Sequence, residues 1–301
     1  MRCPLCENID ISLLERVSKN NLISLYYDMT EVDFSYQIQK DIIYCECKNC
    51  KLKFFDPLIT GDEKFYNALQ KFDWYYMDEK EEYHYAKKFI QNASSVLEVG
   101  SGKGAFAKHI KDSTYVGLDF SENAKNMAAE NGVLVENIMI QDYANMHKEE
   151  FDVVLSFQVL EHVSDAKGFI EAKLEALKKG GKLIIAVPSE DSFLKYVQNG
   201  VLNMPPHHVT RWSDDTFQFI ADKYNLKILD IYHEVVQEAH KQWYLGTLIS
   251  RCLFESKLID TSFFKKIVNK VISYFSKFLL KGLEDEMLPN GHTVLVVMEK
   301  Q

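Results

Sequence analysis

The residues best suited to chemistry in this 301-residue chain begin with a glycine-rich turn. Residues 96–104 read Val-Leu-Glu-Val-Gly-Ser-Gly-Lys-Gly, an apolar strand that runs into Gly100, Gly102 and Gly104 and then into a predicted helix. Glycine reaches positive φ without strain and lets a ligand approach bare backbone. The start of the helix supplies unpaired N–H groups. The segment therefore predicts a ligand-binding turn.

Three carboxylates accompany this turn. Glu98 lies two residues before the first glycine, where it can anchor the turn and favour a cationic ligand. Asp119 ends the next predicted strand, at a distance along the chain that suits ribose hydroxyls. Asp142 follows the apolar residues 138–141 and can accept a hydrogen bond from an adenine amino group. Together they predict a ligand that contains adenosine.

The turn alone leaves more than one class of protein open. Gly100, Gly102 and Ala105 also satisfy the dinucleotide fingerprint, with Asp119 in place for a ribose. An NAD-dependent oxidoreductase is therefore an alternative, and a non-catalytic binding module is a third hypothesis.

Three histidines are candidates for a general base. His162 follows a predicted strand at residues 153–157, and His207 and His208 lie in the loop after a predicted strand at residues 183–187. An unperturbed imidazole has a pKa of about 6.5, which suits proton transfer near neutral pH. In the alternative interpretation, one or both loop histidines only form hydrogen bonds within the loop.

Elements that can bring these groups together start at Ser95. Short apolar runs alternate there with amphipathic stretches, which predicts a mostly parallel sheet covered on both faces. The carboxyl edge of such a sheet is where ligands bind. Strands are predicted at 96–99, 115–118, 153–157, 183–187, 227–232 and 293–298, and helices at 103–112, 121–131, 165–179 and 213–224.

These segments, taken in order, resemble the motifs of class I S-adenosylmethionine-dependent methyltransferases. The resemblance covers residues 95–236 and the closing strand. It implies an α/β fold with a Rossmann-like seven-stranded sheet of order 3-2-1-4-5-7-6 and an antiparallel strand seven. The matching motifs are Glu98-x-Gly100-x-Gly102-x-Gly104, Asp119, Gln141-Asp142, residues 151–163 and residues 177–188.

The resemblance also implies roles for individual residues. The glycine turn would lie beneath the methionine part of the cofactor, Asp119 would hold the ribose, and Asp142 would hold the adenine. Tyr76, beside Tyr75, would cover the cofactor as a lid. The cofactor-binding residues expected on this basis are Glu98, Gly100, Gly102, Gly104, Asp119, Phe120, Asp142, Phe157, Gln158 and Tyr76, and the catalytic candidates are His162, His208 and His207.

Cysteines cluster near the start of the chain. Two C-x-x-C pairs, Cys3 with Cys6 and Cys47 with Cys50, supply four thiolates, the ligand set of a closed structural zinc site. They predict a zinc-ribbon-like domain at residues 1–56. With little apolar core expected there, the metal would supply most of its folding free energy, about 10–16 kcal/mol in small zinc modules. Free thiols are the alternative, and Cys45 and Cys252 are left outside the site, Cys252 as a buried apolar side chain.

Charge helps to choose among acceptors. The chain has a net charge of −9, and residues 1–56 hold seven basic and nine acidic residues, a poor surface for gripping phosphates. A four-cysteine ribbon on a methyltransferase resembles both a bacterial group that acts on sugars and other small metabolites and a group of ribosomal RNA methyltransferases. The charge favours the first group and predicts a sugar or polysaccharide precursor as acceptor, with RNA as the alternative.

The remaining segments complete the predicted organisation. Residues 57–92 form a helical connector, residues 93–240 and 286–301 the methyltransferase core, and residues 241–285 a helical insertion. The insertion carries eight basic and four acidic residues, with an apolar face opposite its lysines. That face is expected to pack against this chain or a partner subunit, or to lie on a membrane surface. No segment resembles a signal peptide or a membrane span, so a cytoplasmic location is expected.

Overall fold

The computed structural model describes residues 1–72, 78–255, 257–280 and 290–301. The N-terminal part forms a four-stranded sheet in which each strand pairs antiparallel with its neighbour. Its last strand comes from far along the chain, so this sheet is completed by the loop that carries His207 and His208. The strands, in spatial order, are β1 (Ile11–Val17), β2 (Ile42–Cys47), β3 (Lys53–Asp56) and β9 (Thr210–Arg211).

The N-terminal sheet has an apolar core of its own. Helix α1 (Lys19–Thr30) and helix α2 (Glu63–Leu69) pack aromatic side chains over it. The rings of Tyr26, Phe34 and Phe65 are fully buried and meet edge to face, with centroids 5.0–5.8 Å apart. The expectation of little core is therefore wrong, because the helix between β1 and β2 supplies apolar side chains that the cysteine spacing alone does not reveal.

The second sheet has the predicted order and directions. From edge to edge it runs β6-β5-β4-β7-β8-β11-β10, and only β11 is antiparallel to its neighbours. The Rossmann-like class I topology expected from the resemblance is confirmed. The strands are β4 (Ser95–Val99), β5 (Thr114–Leu118), β6 (Val135–Glu136), β7 (Phe151–Phe157), β8 (Leu177–Pro188), β10 (Leu226–His233) and β11 (Thr293–Lys300).

Helices cover the sheet, and serine caps begin two of them. Ser121 Oγ accepts from the Ala124 N–H, and Ser213 Oγ accepts from the Thr216 N–H. The covering helices are α3 (Glu81–Lys87), α4 (Glu122–Glu130), α5 (Ile140–Met146), α6 (Ala166–Ala176) and α7 (Asp214–Tyr224). Short 3-10 helices lie at Ala105–His109, Leu160–His162, Phe193–Tyr196, Val201–Asn203 and Glu238–His240.

Two predicted helices differ from the structure. The helix expected at 103–112 is only the 3-10 helix Ala105–His109, because the chain must return to the sheet at Thr114 within a few residues. The helix expected at 165–179 ends at Ala176, where β8 begins. Glycines at 180 and 181 weaken a helix at that point, and Gly180 has φ +75°.

The C-terminal insertion contains helices α8 (Lys241–Leu253) and α9 (Phe263–Leu279). Helix α9 approaches α8 through Ile272 and Ser276, which lie beside Gly246. Packing against the described part of this chain does not bury the predicted apolar face, so a partner subunit or a membrane surface stays the prediction. The exposed side chains are Phe263, Phe264, Ile267, Val271, Tyr274, Phe275, Phe278 and Leu279. No described helix is both long enough and apolar enough to cross a bilayer.

Candidate active site

A cavity of about 1900 Å³ lies at the carboxyl edge of the seven-stranded sheet. The ends of β4, β5 and β7 form its floor, and the glycine turn lies at one side. Helix α2 and the loop that leads to β9 close the other side. One continuous space therefore connects the glycine turn with the three histidines.

The glycine turn presents bare backbone to this cavity. Gly100 has φ +75° and Gly102 has φ +53°, the left-handed conformation in which glycine is unstrained. A Cβ atom on Gly100 would lie 2.4 Å from Val159 Cγ2. Gly104 also has positive φ but does not line the cavity, and its Cβ would meet Val133 at 2.6 Å. Gly104 thus serves close packing, whereas Gly100 and Gly102 face the ligand space.

Asp119 connects the end of β5 with the glycine turn. Its Oδ2 accepts from the Gly102 N–H at 2.7 Å, and its Oδ1 accepts from the Ser121 N–H at 2.8 Å. Burial raises the pKa of this carboxyl above its usual value, while the backbone N–H groups act in the opposite direction. Each oxygen keeps a second lone pair for a ligand hydroxyl. The neighbouring ring of Phe120 is 64% exposed and lines the cavity.

Glu98 lies on the cavity wall, nearly inaccessible to solvent. Its Oε2 accepts from the Tyr115 hydroxyl at 2.5 Å. Burial raises the pKa of Glu98 to about 8, against the hydrogen bond from Tyr115, which lowers it. A cation bound beside Glu98 would favour its charged form.

The third expected carboxylate is not on the cavity wall. Asp142 lies in the first turn of α5, is exposed, and does not line the cavity. Gln141 lines it instead, and its buried Oε1 has no hydrogen-bond partner among the described residues. Strand β6 is only two residues long, and α5 begins at Ile140. Asp142 therefore lies in a helix, which directs its side chain away from the cavity. Sequence reasoning missed Gln141, although it stands in the same motif.

Two more expected residues separate the halves of the cavity. Phe157 ends β7 and packs against Tyr83 and Phe106, with ring centroids 4.8 and 5.0 Å away. Gln158 follows with φ +57°, an unusual conformation for a non-glycine residue that turns the chain into the cavity. Tyr76 and Tyr75 lie outside the described residues.

The structure brings the three candidate histidines together. Their ring centroids are 4.5–4.8 Å apart, and all three rings line the cavity. Each Nδ1 is paired with an oxygen. His162 pairs with the His207 carbonyl at 2.7 Å, and His207 pairs with the Leu202 carbonyl at 2.8 Å. His208 pairs with Asn203 Oδ1 at 3.1 Å.

These contacts determine the protonation of the rings. A carbonyl oxygen only accepts, so each Nδ1 carries the proton and each Nε2 keeps a lone pair. Burial lowers the pKa of His162 to about 4, and burial followed by the neighbouring imidazoles lowers the pKa values of His207 and His208 well below the usual range. All three rings are therefore neutral at pH 7. The loop histidines do hydrogen-bond within the loop, and they also face the cavity.

Glu161 is a cavity residue that sequence reasoning missed. Its side chain is 1% exposed, and neither carboxylate oxygen has a hydrogen-bond partner among the described residues. Its Oε1 lies 3.8 Å from His162 Nε2 and 3.9 Å from His208 Nε2. Burial raises the pKa of Glu161 to about 8. The signal that could have found it is an acid next to a histidine directly after a buried strand.

The N-terminal part of the chain holds the histidine loop in place. The Tyr26 hydroxyl lies 2.9 Å from the carbonyls of both Val201 and Met204. Arg211 in β9 donates to the Asn203 carbonyl at 2.6 Å, and Asn203 in turn pairs with His208. The loop is thus clamped between α1 and the N-terminal sheet.

The four predicted metal-ligating cysteines form one cluster. All four sulfur atoms lie within 4.8 Å of one another, with Cys3 and Cys50 3.5 Å apart and Cys6 and Cys47 3.4 Å apart. Each pair is followed by a residue of positive φ, Glu7 at +61° and Lys51 at +62°. Their N–H groups bond back to the carbonyls of Cys3 and Cys47, which closes each pair into a tight turn around the sulfur atoms.

The two remaining cysteines lie apart from this cluster. Cys45 is buried and is not one of the four clustered cysteines, as expected. Cys252 is exposed, which corrects the expectation of a buried apolar side chain. Its helix, α8, turns that position toward solvent.

Comparison with known proteins gives a family. The sequence model described as "Methyltransferase domain" matches residues 70–231, more than half of the chain. A Ubiquinone biosynthesis O-methyltransferase of Salmonella newport (strain SL254) is 28% identical over 145 residues, which cover 40% of this chain and 60% of that protein. An uncharacterized protein of Methanocaldococcus jannaschii is 38% identical over 105 residues, 33% of this chain and 46% of that protein.

The chain thus spans 60% or less of the length of these curated relatives. Among solved structures, a SAM-dependent methyltransferase from Archaeoglobus fulgidus is similar with a TM-score of 0.50 and 17% identity, covering 73% of this chain and 91% of that chain. That similarity shows the fold. The family match decides against the nicotinamide alternative. With its sheet order and glycine turn, the chain belongs to the methyltransferase domain family, with the fold of the class I S-adenosylmethionine-dependent enzymes.

Proposed function

We propose that this protein transfers a methyl group from S-adenosylmethionine to a hydroxyl oxygen of a small, hydroxyl-rich acceptor, a sugar or polysaccharide precursor. The observation that carries the proposal is the single cavity with the glycine turn at one side and the three histidines at the other. Such a space accommodates a methyl donor and an acceptor side by side. The name of the curated relative, an O-methyltransferase, supports oxygen as the acceptor atom.

The donor side of the cavity fits S-adenosylmethionine. Gly100 and Gly102 line the cavity with bare backbone at positive φ, and the buried Gln141 Oε1 lacks a hydrogen-bond partner among the described residues. On this proposal the turn and Glu98 hold the methionine part, Asp119 holds the ribose hydroxyls, and Gln141 holds the adenine. When bound, the donor supplies a sulfonium methyl that an acceptor oxygen displaces in line, leaving S-adenosylhomocysteine and releasing the proton of the hydroxyl.

The acceptor side can activate a hydroxyl. The rings of His162, His207 and His208 offer Nε2 lone pairs to an acceptor hydroxyl. Burial lowers their pKa values below the usual range, so each ring is a weaker base than a free imidazole and would contribute less than the about 10²–10⁴-fold of a well-matched base. The ring of Tyr66 lies edge-on to the ring of His162, with centroids 6.1 Å apart, and helps to exclude water from the acceptor side of the cavity. The expectation of a histidine base therefore stays part of the proposal.

The charge of the cavity wall supports a small acceptor over RNA. Acidic residues outnumber basic ones on the wall, where a phosphodiester chain would be repelled. Lys80 and Lys103 are the basic residues among the described lining. The acids on the histidine side and near the entrance include Asp28, Asp62, Glu63, Glu79, Glu81 and Glu82.

We also propose a structural zinc ion in the four-cysteine cluster. The four sulfur donors match a closed tetrahedral site, and the turns after each pair shape it. The cluster packs against the sheet through buried Cys3, Cys47 and Cys50, which gives the metal a supporting rather than a catalytic place.

The test is transfer of a deuterated methyl group from labelled donor into host metabolites, followed by mass spectrometry. Parallel reactions contain nucleotide-linked sugars, a small-molecule extract, or total RNA at low salt. We expect label in the sugar-containing fractions and none in RNA, and loss of transfer in Asp119→Ala. Label confined to RNA would overturn the acceptor class, and absence of donor binding by calorimetry would overturn methyl transfer itself.

A further inference from the structure

We propose that His162, His207, His208 and Glu161 form a binding site for one divalent first-row transition-metal ion. One nitrogen of each ring lies within 4.8 Å of the others. Glu161 Oε1 lies 3.8 and 3.9 Å from the Nε2 atoms of His162 and His208. The site is separate from the four-cysteine cluster and opens on the cavity.

The rings are already oriented as metal ligands. A histidine that binds metal through one nitrogen usually donates its other N–H to an oxygen, which determines its tautomer and orientation. Here each Nδ1 pairs with an oxygen, two of them backbone carbonyls, which leaves Nε2 as the nitrogen that can bind an ion.

The environment of Glu161 supports a metal site independently of the three rings. A fully buried carboxylate without any hydrogen-bond donor is costly, and buried charges in proteins are paired or coordinate metals. Both Glu161 oxygens lack a hydrogen-bond partner among the described residues. Lys80 favours the charged form of Glu161, but no described lysine or arginine lies within ion-pair distance of its oxygens. A divalent ion would supply the missing partner.

The donor atoms lie farther apart than in a loaded site, with ring nitrogens up to 4.8 Å from one another. Donors around a tetrahedral ion with bonds of about 2.0–2.1 Å lie about 3.3 Å apart. The observed separations from Glu161 are therefore wide by roughly half an ångström, which small side-chain rotations can close. Imidazole donors favour zinc, copper, iron or nickel over magnesium, calcium or manganese. Binding of an ion does not depend on the proposed function.

The role of the ion, unlike its binding, rests on the proposed function. The ion would face the acceptor side, where it can bind a hydroxyl oxygen and lower the pKa of that hydroxyl. The rings would then act on the acceptor through the ion instead of taking its proton directly. Donor binding, at the glycine turn, would be unaffected.

The test uses the full chain with zinc in the four-cysteine site, titrated with Co²⁺ and followed by absorption and by metal analysis. Cobalt bound to thiolates gives an intense charge-transfer band, whereas cobalt on imidazole and carboxylate does not. We expect one equivalent of cobalt without that band. Glu161→Gln and His208→Gln should each weaken the binding of cobalt by roughly 100-fold or more. Asn203→Ala, which removes the hydrogen-bond partner of His208, should weaken it by about 10–100-fold.

The group of Glu79, His84 and His109, in which Glu79 and His84 are exposed, provides the matched control, because it is another described cluster of metal-ligating side chains. His84→Gln should leave the cobalt equivalent unchanged. Absence of this equivalent in the wild type, its persistence in Glu161→Gln, or its loss in His84→Gln would each overturn the proposal. Glu161→Gln decides if the histidine variant fails to fold, since it keeps the size of the side chain. Donor binding measured on the same samples tests the proposed function separately.

Discussion

At the scale of single residues, the glycine turn depends on the lack of a Cβ atom at Gly100. Gly100 and Gly132 share left-handed φ values, +75° and +70°, but a Cβ on Gly100 meets Val159 whereas one on Gly132 meets nothing within 4 Å. Alanine at either position should cost about 1 kcal/mol of stability for its backbone conformation, and at Gly100 the close contact with Val159 adds to that cost. Only Gly100→Ala should also reduce affinity for S-adenosylmethionine, by tenfold or more, as measured by calorimetry. Equal affinities in the two variants would contradict a role of the bare backbone.

A neighbouring pair of residues tests which side chain holds the adenine. Gln141 lines the cavity, whereas Asp142 is exposed outside it. Gln141→Ala should weaken donor binding by about 1–2 kcal/mol, the scale of a buried hydrogen bond. Asp142→Ala should leave the dissociation constant unchanged. The reverse result would restore the sequence-based assignment of Asp142.

Glu98 predicts a pH dependence of donor binding. Its pKa is about 8 in the empty site, and the sulfonium charge would lower it. Binding below pH 8 should therefore release a proton, so affinity rises with pH and levels off near pH 8. Calorimetry in two buffers of different ionisation enthalpy measures the release. Glu98→Gln should abolish most of it, and S-adenosylhomocysteine, which lacks the sulfonium charge, should show less. An unchanged pH slope in Glu98→Gln would argue against this role.

At the scale of elements, the histidine loop depends on its contacts with α1 and β9. The chain from residue 199 to 209 contains only one short 3-10 helix, so its shape relies on bonds to neighbouring elements. Tyr26 and Arg211 provide these bonds from the N-terminal part of the molecule. The cysteine-bearing part therefore contributes to the active site by positioning its loop.

Replacing one hydroxyl tests this contribution. Tyr26→Phe removes the donor to the Val201 and Met204 carbonyls and should cost about 1–2 kcal/mol. We expect a lower kcat with little change in donor affinity, because the glycine turn is untouched. Tyr27→Phe is the control on the same helix, since Tyr27 is exposed. Equal kcat values for Tyr26→Phe and the wild type would show that the loop keeps its shape without this anchor.

At the scale of the whole molecule, the histidine loop follows β8 of the seven-stranded sheet and leads into β9 of the N-terminal sheet, so damage in one sheet should reach the other. Removing zinc with a chelator, or Cys47→Ser, should lower the melting temperature of the N-terminal part and reduce methyl transfer. Donor binding should persist, because the seven-stranded sheet and glycine turn do not include the cluster. Cys252→Ser, at an exposed position, is the control. A fully active, equally stable Cys47→Ser variant would contradict a structural metal. Calorimetric scans and zinc analysis provide the measurements.

Local patterns in the sequence determined the main strands, the glycine turn, Asp119 and the four cysteines, and the family resemblance implied the order of the sheet. The burial of a strand, the conformation of a glycine and the spacing of the cysteines each depend on only a few consecutive residues. They can therefore be recognised without knowledge of distant contacts. Tertiary structure alone decided that Gln141 faces the cavity instead of Asp142, that Glu161 lies beside His162 and His208, and that α1 clamps the histidine loop. Those features depend on the direction of a side chain within one turn, or on residues more than forty positions apart meeting in space. Neither leaves a repeating signal along the chain.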